Sequence, residues 1–348
     1  KISSERPKLK ISIYFCHKST LYLMRLAFTI CTLSHLAQAK TMADSLIKHN
    51  PDYRVVIGLF DKVNDRDISS VKNYTLIEIN GEQIPDFEGL FDRYTPFELS
   101  CLAKPYLASY LYKKYPEVQK LLYFDSDILF FGQVTSIESD LDNHSIVLTP
   151  HVTQPIKDEK SPRLRNFLNA GLYNGGFFAL KRSEETYDFL AWWQDRVWHE
   201  GYLNFSQGMF VDQLWLNYVP LFYPNALISK NPGYNMGYWN MHERQVSQNE
   251  NRFWVNQTYP LVFFHFSGYQ LAEPGHISVH QNRYSFESRS DVKPLFEMYH
   301  QALVSNGDAS FRVLSNAYHR PKYFYQKIRA LRRILVAGCY RILRLLNE

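Results

Sequence analysis

The chain alternates short apolar runs with stretches in which apolar residues recur every three or four positions. Residues 26–32 form an apolar run typical of a buried strand, and leucines and alanines recur at helical spacing from Leu36 onward. The helix is predicted to end at the Asn-Pro of residues 50–51, and a second apolar run covers residues 54–60. This order predicts a βαβ unit with parallel strands and a right-handed crossover.

Strand and helix patterns continue to alternate along the chain. We predict strands at residues 146–149, 176–180 and 261–265, a helix that starts at Pro105 and runs to Tyr112, a helix from an N-cap at Ser183 to Trp198, and a loop over residues 231–240. This order is typical of the α/β class, in which helices flank a mixed, mainly parallel sheet. Ligands in such folds bind beyond the carboxyl ends of the strands.

Two carboxylates interrupt the apolar run of residues 121–131. Side chains alternate between the two faces of a strand, so Asp125 and Asp127 are expected on one face, where like charges repel each other and lose hydration. A divalent cation such as Mg²⁺ or Mn²⁺ relieves this cost, because hard cations bind carboxylate oxygens and complete their shell with water and substrate phosphates. The alternative is a strand cap that turns into solvent, which the apolar residues on both sides disfavour.

The composition is that of a folded protein with a large core. The chain has 348 residues, of which 45% are hydrophobic, so one compact domain with a C-terminal appendage is the simplest organisation. The aromatic share of 16% favours a carbohydrate surface only weakly, since aromatic side chains fill ordinary cores too. The cysteines show no C-x-x-C spacing, so we expect a reducing compartment.

The net charge of +5 is unevenly distributed. Residues 1–23 hold five basic residues and one acidic residue, residues 320–348 hold eight and one, and the segment between them is therefore net acidic. A nucleic-acid-binding protein carries its basic residues across the folded surface, so we expect no nucleic-acid partner. No apolar run reaches the roughly 18 to 20 residues that span a bilayer.

The N-terminal segment, residues 1–23, superficially resembles a signal peptide. Lys18 and Arg25 interrupt the apolar stretch from Ile11 to Leu26, and no small-residue cleavage site is evident. We therefore interpret residues 1–23 as a non-native or disordered extension ahead of Met24.

Residues 320–348 predict a basic amphipathic helix. Its apolar stripe consists of Ile328, Leu331, Leu335, Ile342 and Leu345. Such a helix either lies on an anionic membrane surface or docks on the domain or on a partner. The first option predicts a cytoplasmic protein that is peripheral on the inner face of the membrane.

Four further motifs follow the Asp pair. They are Tyr173-Asn174-Gly175-Gly176-Phe177, Phe210-Val211-Asp212-Gln213, Asn231-Pro232-Gly233-Tyr234-Asn235 and His265-Phe266-Ser267-Gly268. Each has an ordinary explanation, such as a tight turn, a helix start or a core histidine. Together they add an imidazole and several amides to the two carboxylates, which is a ligand set for a hard metal on an α/β scaffold.

This combination resembles the metal-dependent GT-A glycosyltransferases, especially glycosyltransferase family 8 and related uncharacterised bacterial glycosyltransferases. In that family D-x-D ends an apolar strand, N-x-G and D-Q follow, and H-x-x-G completes the metal site. The resemblance covers residues 24–285 and includes Lys104-Pro105 and Trp192-Trp193. Two departures are a lysine where many members have arginine ahead of D-x-D, and the missing K-P-W after H-x-x-G. In the family that piece touches the leaving diphosphate.

The resemblance implies roles for the matching residues. The implied metal ligands, for Mn²⁺ or Mg²⁺, are Asp125, Asp127 and His265. The implied catalytic residues, which bind sugar hydroxyls, are Asn174, Asp212 and Gln213. The candidate donor-binding residues are Thr32, Asp61, Lys104, Asp125 and Gly268. Of these, Lys104 is expected to add a cation just before a helix start, a natural anion site.

The implied activity is transfer of a sugar from a nucleoside-diphosphate sugar to a glycan or lipid-linked acceptor, in bacterial surface polysaccharide synthesis and with retained anomeric configuration. The predicted domains are a GT-A domain at residues 24–285, a helical extension at 286–319 and the basic helix at 320–348. Two alternatives stay open. One is a non-catalytic sugar-binding or scaffolding protein on the same fold. The other is a haloacid-dehalogenase-type phosphatase, whose D-x-D normally continues with Thr or Val where this chain has Leu129.

Overall fold

The structure is a computed structural model that describes residues 24–318 and 322–347, so the predicted N-terminal extension, residues 1–23, lies outside the described residues. In chain order the strands are β1 (Arg25–Cys31), β2 (Tyr53–Leu59), β3 (Thr75–Glu78), β4 (Lys120–Phe124), β5 (Ile128–Phe130), β6 (Ile146–Pro150), β7 (Tyr173–Lys181), β8 (Leu203–Asn204), β9 (Met209–Phe210), β10 (Ala226–Ile228), β11 (Val246–Asn249), β12 (Arg252–Val255), β13 (Tyr259–Pro260) and β14 (Phe263–His265). The α-helices are α1 (Leu36–His49), α2 (Pro96–Lys114), α3 (Thr135–Asn143), α4 (Leu164–Ala170), α5 (Glu184–Glu200), α6 (Val219–Phe222), α7 (Lys293–Ser305), α8 (Asp308–Arg312) and α9 (Lys322–Asn347).

Within the described residues, seven strands form the main sheet in the order β10-β6-β7-β4-β1-β2-β3. Strand β7 runs antiparallel to its neighbours β4 and β6, and every other pair in the sheet is parallel. The mixed, mainly parallel sheet is therefore confirmed, and so is the first βαβ unit.

Strand β1 shows how the sheet is buried on both faces. Leu26, Phe28 and Ile30 pack into the core that α2 and α5 cover, whereas Ala27 and Cys31 pack into the core that α1 covers. Both sets are almost fully buried. Burial of each large apolar side chain contributes about 1.5–3 kcal/mol, so this layered packing fixes where the carboxyl ends of the strands lie.

The predicted helix start at Pro105 is wrong. Helix α2 begins at Pro96, where Thr95 and Glu98 form a reciprocal capping box, and Pro105 lies inside the helix. Lys104 therefore sits in the middle of a helix and not at an N-terminal anion site. The predicted cap at Ser183 is confirmed, because its side chain accepts a hydrogen bond from the Thr186 N–H at the start of α5.

A short two-stranded ladder outside the main sheet brings distant parts of the chain together. Strands β5 and β14 pair antiparallel, with His265 opposite Ile128. The Phe266 N–H also donates to the Asp127 carbonyl oxygen at 2.8 Å. This register places His265 beside the turn that carries the Asp pair.

The segment after β14 folds back onto the first βαβ unit. Helices α7 and α8 pack against α1, and the side chain of Asn306 donates to Thr41 Oγ1 at 2.9 Å and accepts from Lys40 Nζ at 2.9 Å. Helix α9 confirms the predicted C-terminal helix. Across the described ranges, no helix is both long and apolar enough to cross a membrane.

Candidate functional site

Three side chains converge where β4 ends. Asp125 and Asp127 lie in the turn between β4 and β5, and one ligand atom from each, together with one from His265, lie within 4.8 Å of one another. His265 Nε2 is 2.9 Å from Asp127 Oδ1 and 3.9 Å from Asp125 Oδ2. The chain does turn after the strand, but the carboxylates face the imidazole instead of bulk water.

The partly exposed Asp127 and the buried His265 form a pair. Burial raises the pKa of Asp127, but the neighbouring imidazole outweighs burial and the pKa lies below its usual value. Burial alone would lower the pKa of His265. The Asp127 carboxylate outweighs burial, so the pKa of His265 lies above its usual value. Without a cation, a proton on Nε2 holds the two groups together. A divalent ion would take the place of that proton.

The two oxygens of Asp125 face different partners. Oδ1 accepts a hydrogen bond from the Tyr123 hydroxyl at 2.5 Å and lies 3.5 Å from Lys104 Nζ. Oδ2 is the oxygen that faces His265, and both groups lie against Gly176, where a Cβ atom would meet His265 Cε1 at 2.3 Å. Oδ2 is therefore the oxygen directed at the candidate metal site.

Lys104 joins the Asp pair to Asp212. Its Nζ is 3.1 Å from Asp212 Oδ2 and donates to the Gly175 carbonyl oxygen at 2.9 Å. Burial alone would lower the pKa of Lys104, but Asp125 and Asp212 together raise it, so the lysine stays charged. One lysine faces two carboxylates, and burial leaves the pKa of Asp212 raised despite the attraction of Lys104.

The three predicted catalytic residues lie behind the open part of the site. Asp212 is 1% exposed, Asn174 6% and Gln213 8%. Gln213 accepts from the Gly175 N–H at 2.8 Å and donates to the Ala170 carbonyl oxygen at 2.7 Å. These side chains are engaged by the protein itself.

A cleft of about 640 Å³ opens at the carboxyl ends of β1 and β4. Of the predicted donor-binding residues, Thr32, Lys104, Asp125 and Gly268 line it. Gly268 needs to be glycine here, because its φ is +73° and a Cβ atom would meet the His280 ring at 2.5 Å.

Asp61 is not among the residues that line the cleft. Its carboxylate is buried and accepts hydrogen bonds from the backbone N–H groups of Leu33, Lys62 and Ala317. It thus ties the end of β2 to the segment that follows α8.

The structure adds residues to the site that the sequence did not indicate. His35, His280 and Arg312 line the cleft, and Tyr123 orients Asp125. Arg312 Nη2 is paired with Asp308 Oδ1 at 2.8 Å. His280 and Arg312 lie far from the Asp pair in the chain and belong to no recognisable motif, so only the fold reveals them.

The donor set fits a divalent metal ion. Asp125, 30% exposed, and Asp127, 23% exposed, line an accessible cleft, and the buried imidazole of His265 lies beside them. Oxygen donors are those that Mg²⁺ and Mn²⁺ prefer, while the imidazole favours a transition metal. Among the described residues, this is the cluster of acidic and imidazole groups arranged to hold an ion.

Comparison with known proteins gives three results. The model of the family "Glycosyl transferase family 8" matches residues 26–210, more than half of the chain. The chain is 26% identical over 280 residues to the uncharacterized protein YfnF of Bacillus subtilis (strain 168), a match that covers 79% of this chain and 90% of YfnF. The apo structure of the bifunctional glycosyltransferase WbbM has a similar fold, with a TM-score of 0.51, 11% identity and coverage of 84% of this chain and 52% of that chain.

A further solved structure, the galactosyltransferase LgtC in complex with donor and acceptor sugar analogs, matches with a TM-score of 0.46 and 15% identity over 80% of this chain and 95% of that chain. The family match spans β1, the Asp pair and the strand that carries Asn174. The chain therefore belongs to glycosyl transferase family 8 and is a glycosyltransferase with the GT-A fold.

Proposed function

We propose that this enzyme transfers a sugar from a nucleoside-diphosphate sugar to a glycan or lipid-linked acceptor in bacterial surface polysaccharide synthesis, in a reaction that needs a divalent metal and retains the anomeric configuration. The proposal rests on the convergence of Asp125, Asp127 and His265 at the edge of the cleft, at the carboxyl ends of β1 and β4. Ligands bind at this edge in α/β folds.

Mn²⁺ fits the ligand set better than Mg²⁺, since one of the three ligands is an imidazole. Asp127 Oδ1, Asp125 Oδ2 and His265 Nε2 would hold the ion. When bound, such an ion stabilises the charge that grows on a leaving diphosphate. Tyr123 and Lys104 occupy the other oxygen of Asp125 and so leave Oδ2 for the ion.

Arg312, a basic residue in the lining of the cleft, supports a diphosphate site that differs from the family pattern. The chain lacks the K-P-W segment that follows H-x-x-G in the family. His280 packs on Gly268, the last residue of H-x-x-G, and lines the same cleft as Arg312. Burial lowers the pKa of His280, and the guanidinium of Arg312 would supply a positive charge to the diphosphate. We assign the leaving diphosphate to these two side chains.

The sugar is assigned to the part of the cleft that Lys104 lines, because Lys104 pairs with the buried Asp212. Asp212 is linked to the Asp pair through Lys104. If Asp212 acts near the anomeric carbon, Asp212→Asn lowers kcat and leaves the KM for the donor nearly unchanged. A change in KM alone would assign Asp212 to donor binding instead.

The acceptor is assigned to a membrane surface that α9 reaches. Four residues of the apolar stripe of α9 face away from the domain: Leu331 and Leu335 are 60% exposed, Ile342 59% and Leu345 73%. The opposite side, with Arg332 lying over the Tyr202 ring at 5.3 Å, faces the domain. An exposed apolar stripe on a basic helix fits an anionic bilayer, to which each basic residue contributes about 1 kcal/mol.

Membership in family 8 removes the phosphatase alternative. The other alternative is a sugar-binding or scaffolding protein on the same fold, which would bind the nucleotide sugar without turning it over. Metal-dependent hydrolysis or transfer of a nucleotide sugar is expected here, and a protein that binds the donor and never cleaves it would contradict the proposal.

A thermal-shift panel tests the proposal as a whole. UDP, GDP, CMP and dTDP sugars are added to the wild-type protein and to Asp127→Ala, with and without Mn²⁺. We expect one nucleotide class to stabilise the wild type only with Mn²⁺, and the variant not at all. Stabilisation that ignores both the metal and the substitution would overturn the proposed site.

A further inference from the structure

Asn235, the last residue of the Asn231-Pro232-Gly233-Tyr234-Asn235 motif, lies directly behind the candidate metal ligand His265. It is 1% exposed, and its Oδ1 is 3.3 Å from His265 Nδ1. Its φ is +49°, a left-handed conformation that asparagine tolerates better than most residues. The sugar chemistry proposed above gives this motif no part.

The orientation of the buried amides follows from one backbone donor. The Gly176 N–H donates to Asn174 Oδ1 at 3.0 Å, so the oxygen of Asn174 must lie on that side. Asn235 also faces Asn174 Oδ1, at 2.9 Å, and can do so only with its NH₂ group. The same NH₂ donates to Thr149 Oγ1 at 2.9 Å. Asn235 Oδ1 is therefore left facing His265.

The other end of Asn174 is consistent with this orientation. Its Nδ2 donates to His151 Nε2 at 3.2 Å, which leaves the proton of His151 on Nδ1, where it donates to the Leu172 carbonyl oxygen at 3.2 Å. Both amide atoms of Asn174 are thus engaged within the protein.

An oxygen that accepts a hydrogen bond from one ring nitrogen of a histidine leaves the other ring nitrogen free to bind a metal. Asn235 Oδ1 accepts from Nδ1–H of His265, so Nε2 is the nitrogen that can bind a metal, and Nε2 is the atom beside Asp127. The loop is held as well, since Asn240 Nδ2 donates to the Asn235 carbonyl oxygen at 3.1 Å and the His265 N–H donates to the Met236 carbonyl oxygen at 2.7 Å.

We propose that Asn235 is a positioning residue, which fixes the tautomer and ring orientation of His265 for the divalent ion, and that Asn174 acts as the link that orients Asn235. The inference rests on the proposed metal site. It changes the role of Asn174 from a ligand of the sugar to a support of the metal centre.

The test is Mn²⁺ binding to the full chain, measured from the electron paramagnetic resonance of free Mn²⁺ without nucleotide. Asn235→Gly removes the side chain at a position whose backbone glycine accepts freely, and we expect the dissociation constant for Mn²⁺ to rise by about 10- to 100-fold. Asn235→Asp keeps an acceptor for His265 Nδ1–H but cannot donate to Asn174 Oδ1, so we expect it to recover only part of the affinity. Full recovery would overturn the orienting role of Asn174.

Asn256→Gly is the matched control. Asn256 has a φ of +50° and also holds a loop through its amide, by donating to the Glu243 carbonyl oxygen at 3.0 Å. It should lose stability without a change in Mn²⁺ affinity.

Wild-type affinity in Asn235→Gly, or equal weakening in Asn256→Gly, would overturn the positioning role while leaving the metal site intact. A wild-type protein that binds no Mn²⁺ would overturn the metal site and the positioning role together.

Discussion

Replacement of Gly176 by alanine should damage the metal site without replacing any of its ligands. Gly176 lies in β7 opposite the Asp pair, and its carbonyl oxygen accepts from the Asp125 N–H at 2.8 Å. Its backbone is not in the left-handed region, so alanine costs nothing in conformation. The perturbation is purely the added methyl group.

The size of the effect follows from three distances. The new Cβ atom would lie 2.3 Å from His265 Cε1 and 2.7 Å from Asp125 Oδ2, where ordinary contacts begin near 3.4 Å. His265 must therefore retreat by about 1 Å, which is enough to break its 2.9 Å contact with Asp127. We expect about 1–3 kcal/mol lower stability from overpacking, Mn²⁺ affinity reduced by about 10- to 100-fold, and kcat reduced by about 100-fold.

Isothermal titration measures the Mn²⁺ affinity, urea unfolding measures the stability, and hydrolysis of the donor sugar measures kcat. Gly81→Ala is the control, because a Cβ atom there meets nothing within 4 Å. It should match the wild type in all three experiments. If Gly176→Ala binds Mn²⁺ as tightly as the wild type does, His265 is not a ligand in this geometry and the reasoning fails.

Three further predictions follow from the buried charges and from α9. Lys104→Met leaves Asp125 and Asp212 facing each other without a cation, so urea unfolding should show a free energy of unfolding lower by about 3–5 kcal/mol. Asp212→Asn should restore part of that stability in the double variant. An unchanged unfolding midpoint in Lys104→Met would contradict the pairing. Burial lowers the pKa of His151 from 6.5 to about 4, so protonation favours the unfolded chain below pH 6.5 and the loss of stability levels off only below about pH 4. Unfolding free energies at pH 7 and pH 5 should differ by about 2 kcal/mol more in the wild type than in His151→Gln, and equal pH dependence would show that His151 titrates normally. Deletion of residues 320–348 should abolish sedimentation with anionic vesicles and leave hydrolysis of the soluble donor unchanged; undiminished vesicle binding would refute the membrane role of α9.

Local sequence patterns predicted much of the fold. The first βαβ unit follows from apolar periodicity, and the cap at Ser183 follows from a side chain that hydrogen-bonds within its own turn. The error at Pro105 has the same local origin, because a proline favours a helix start but also occurs inside α2. The helix begins nine residues earlier, at Pro96, where Thr95 and Glu98 form the capping box. Local rules allowed both positions, and packing of α2 on the sheet selected one.

The site was predictable only as a list of residue types. The Asp pair and His265 could be named from their motifs, but the register of β5 against β14 decides that they meet. Likewise nothing near Lys104 in the chain indicates Asp212 as its partner, and Asn235 gains its orientation from a backbone N–H 59 residues away. These contacts are set by tertiary structure.

The anomalous diffraction of Mn²⁺ in crystals of the full chain, grown with a nucleoside diphosphate, would locate the metal ion relative to its proposed ligands. We predict a peak within ligand distance of Asp127 Oδ1, His265 Nε2 and Asp125 Oδ2, with the diphosphate in the cleft beside it, and no such peak in Asp127→Ala. A nucleotide bound in the cleft with no peak at these three side chains would contradict the account.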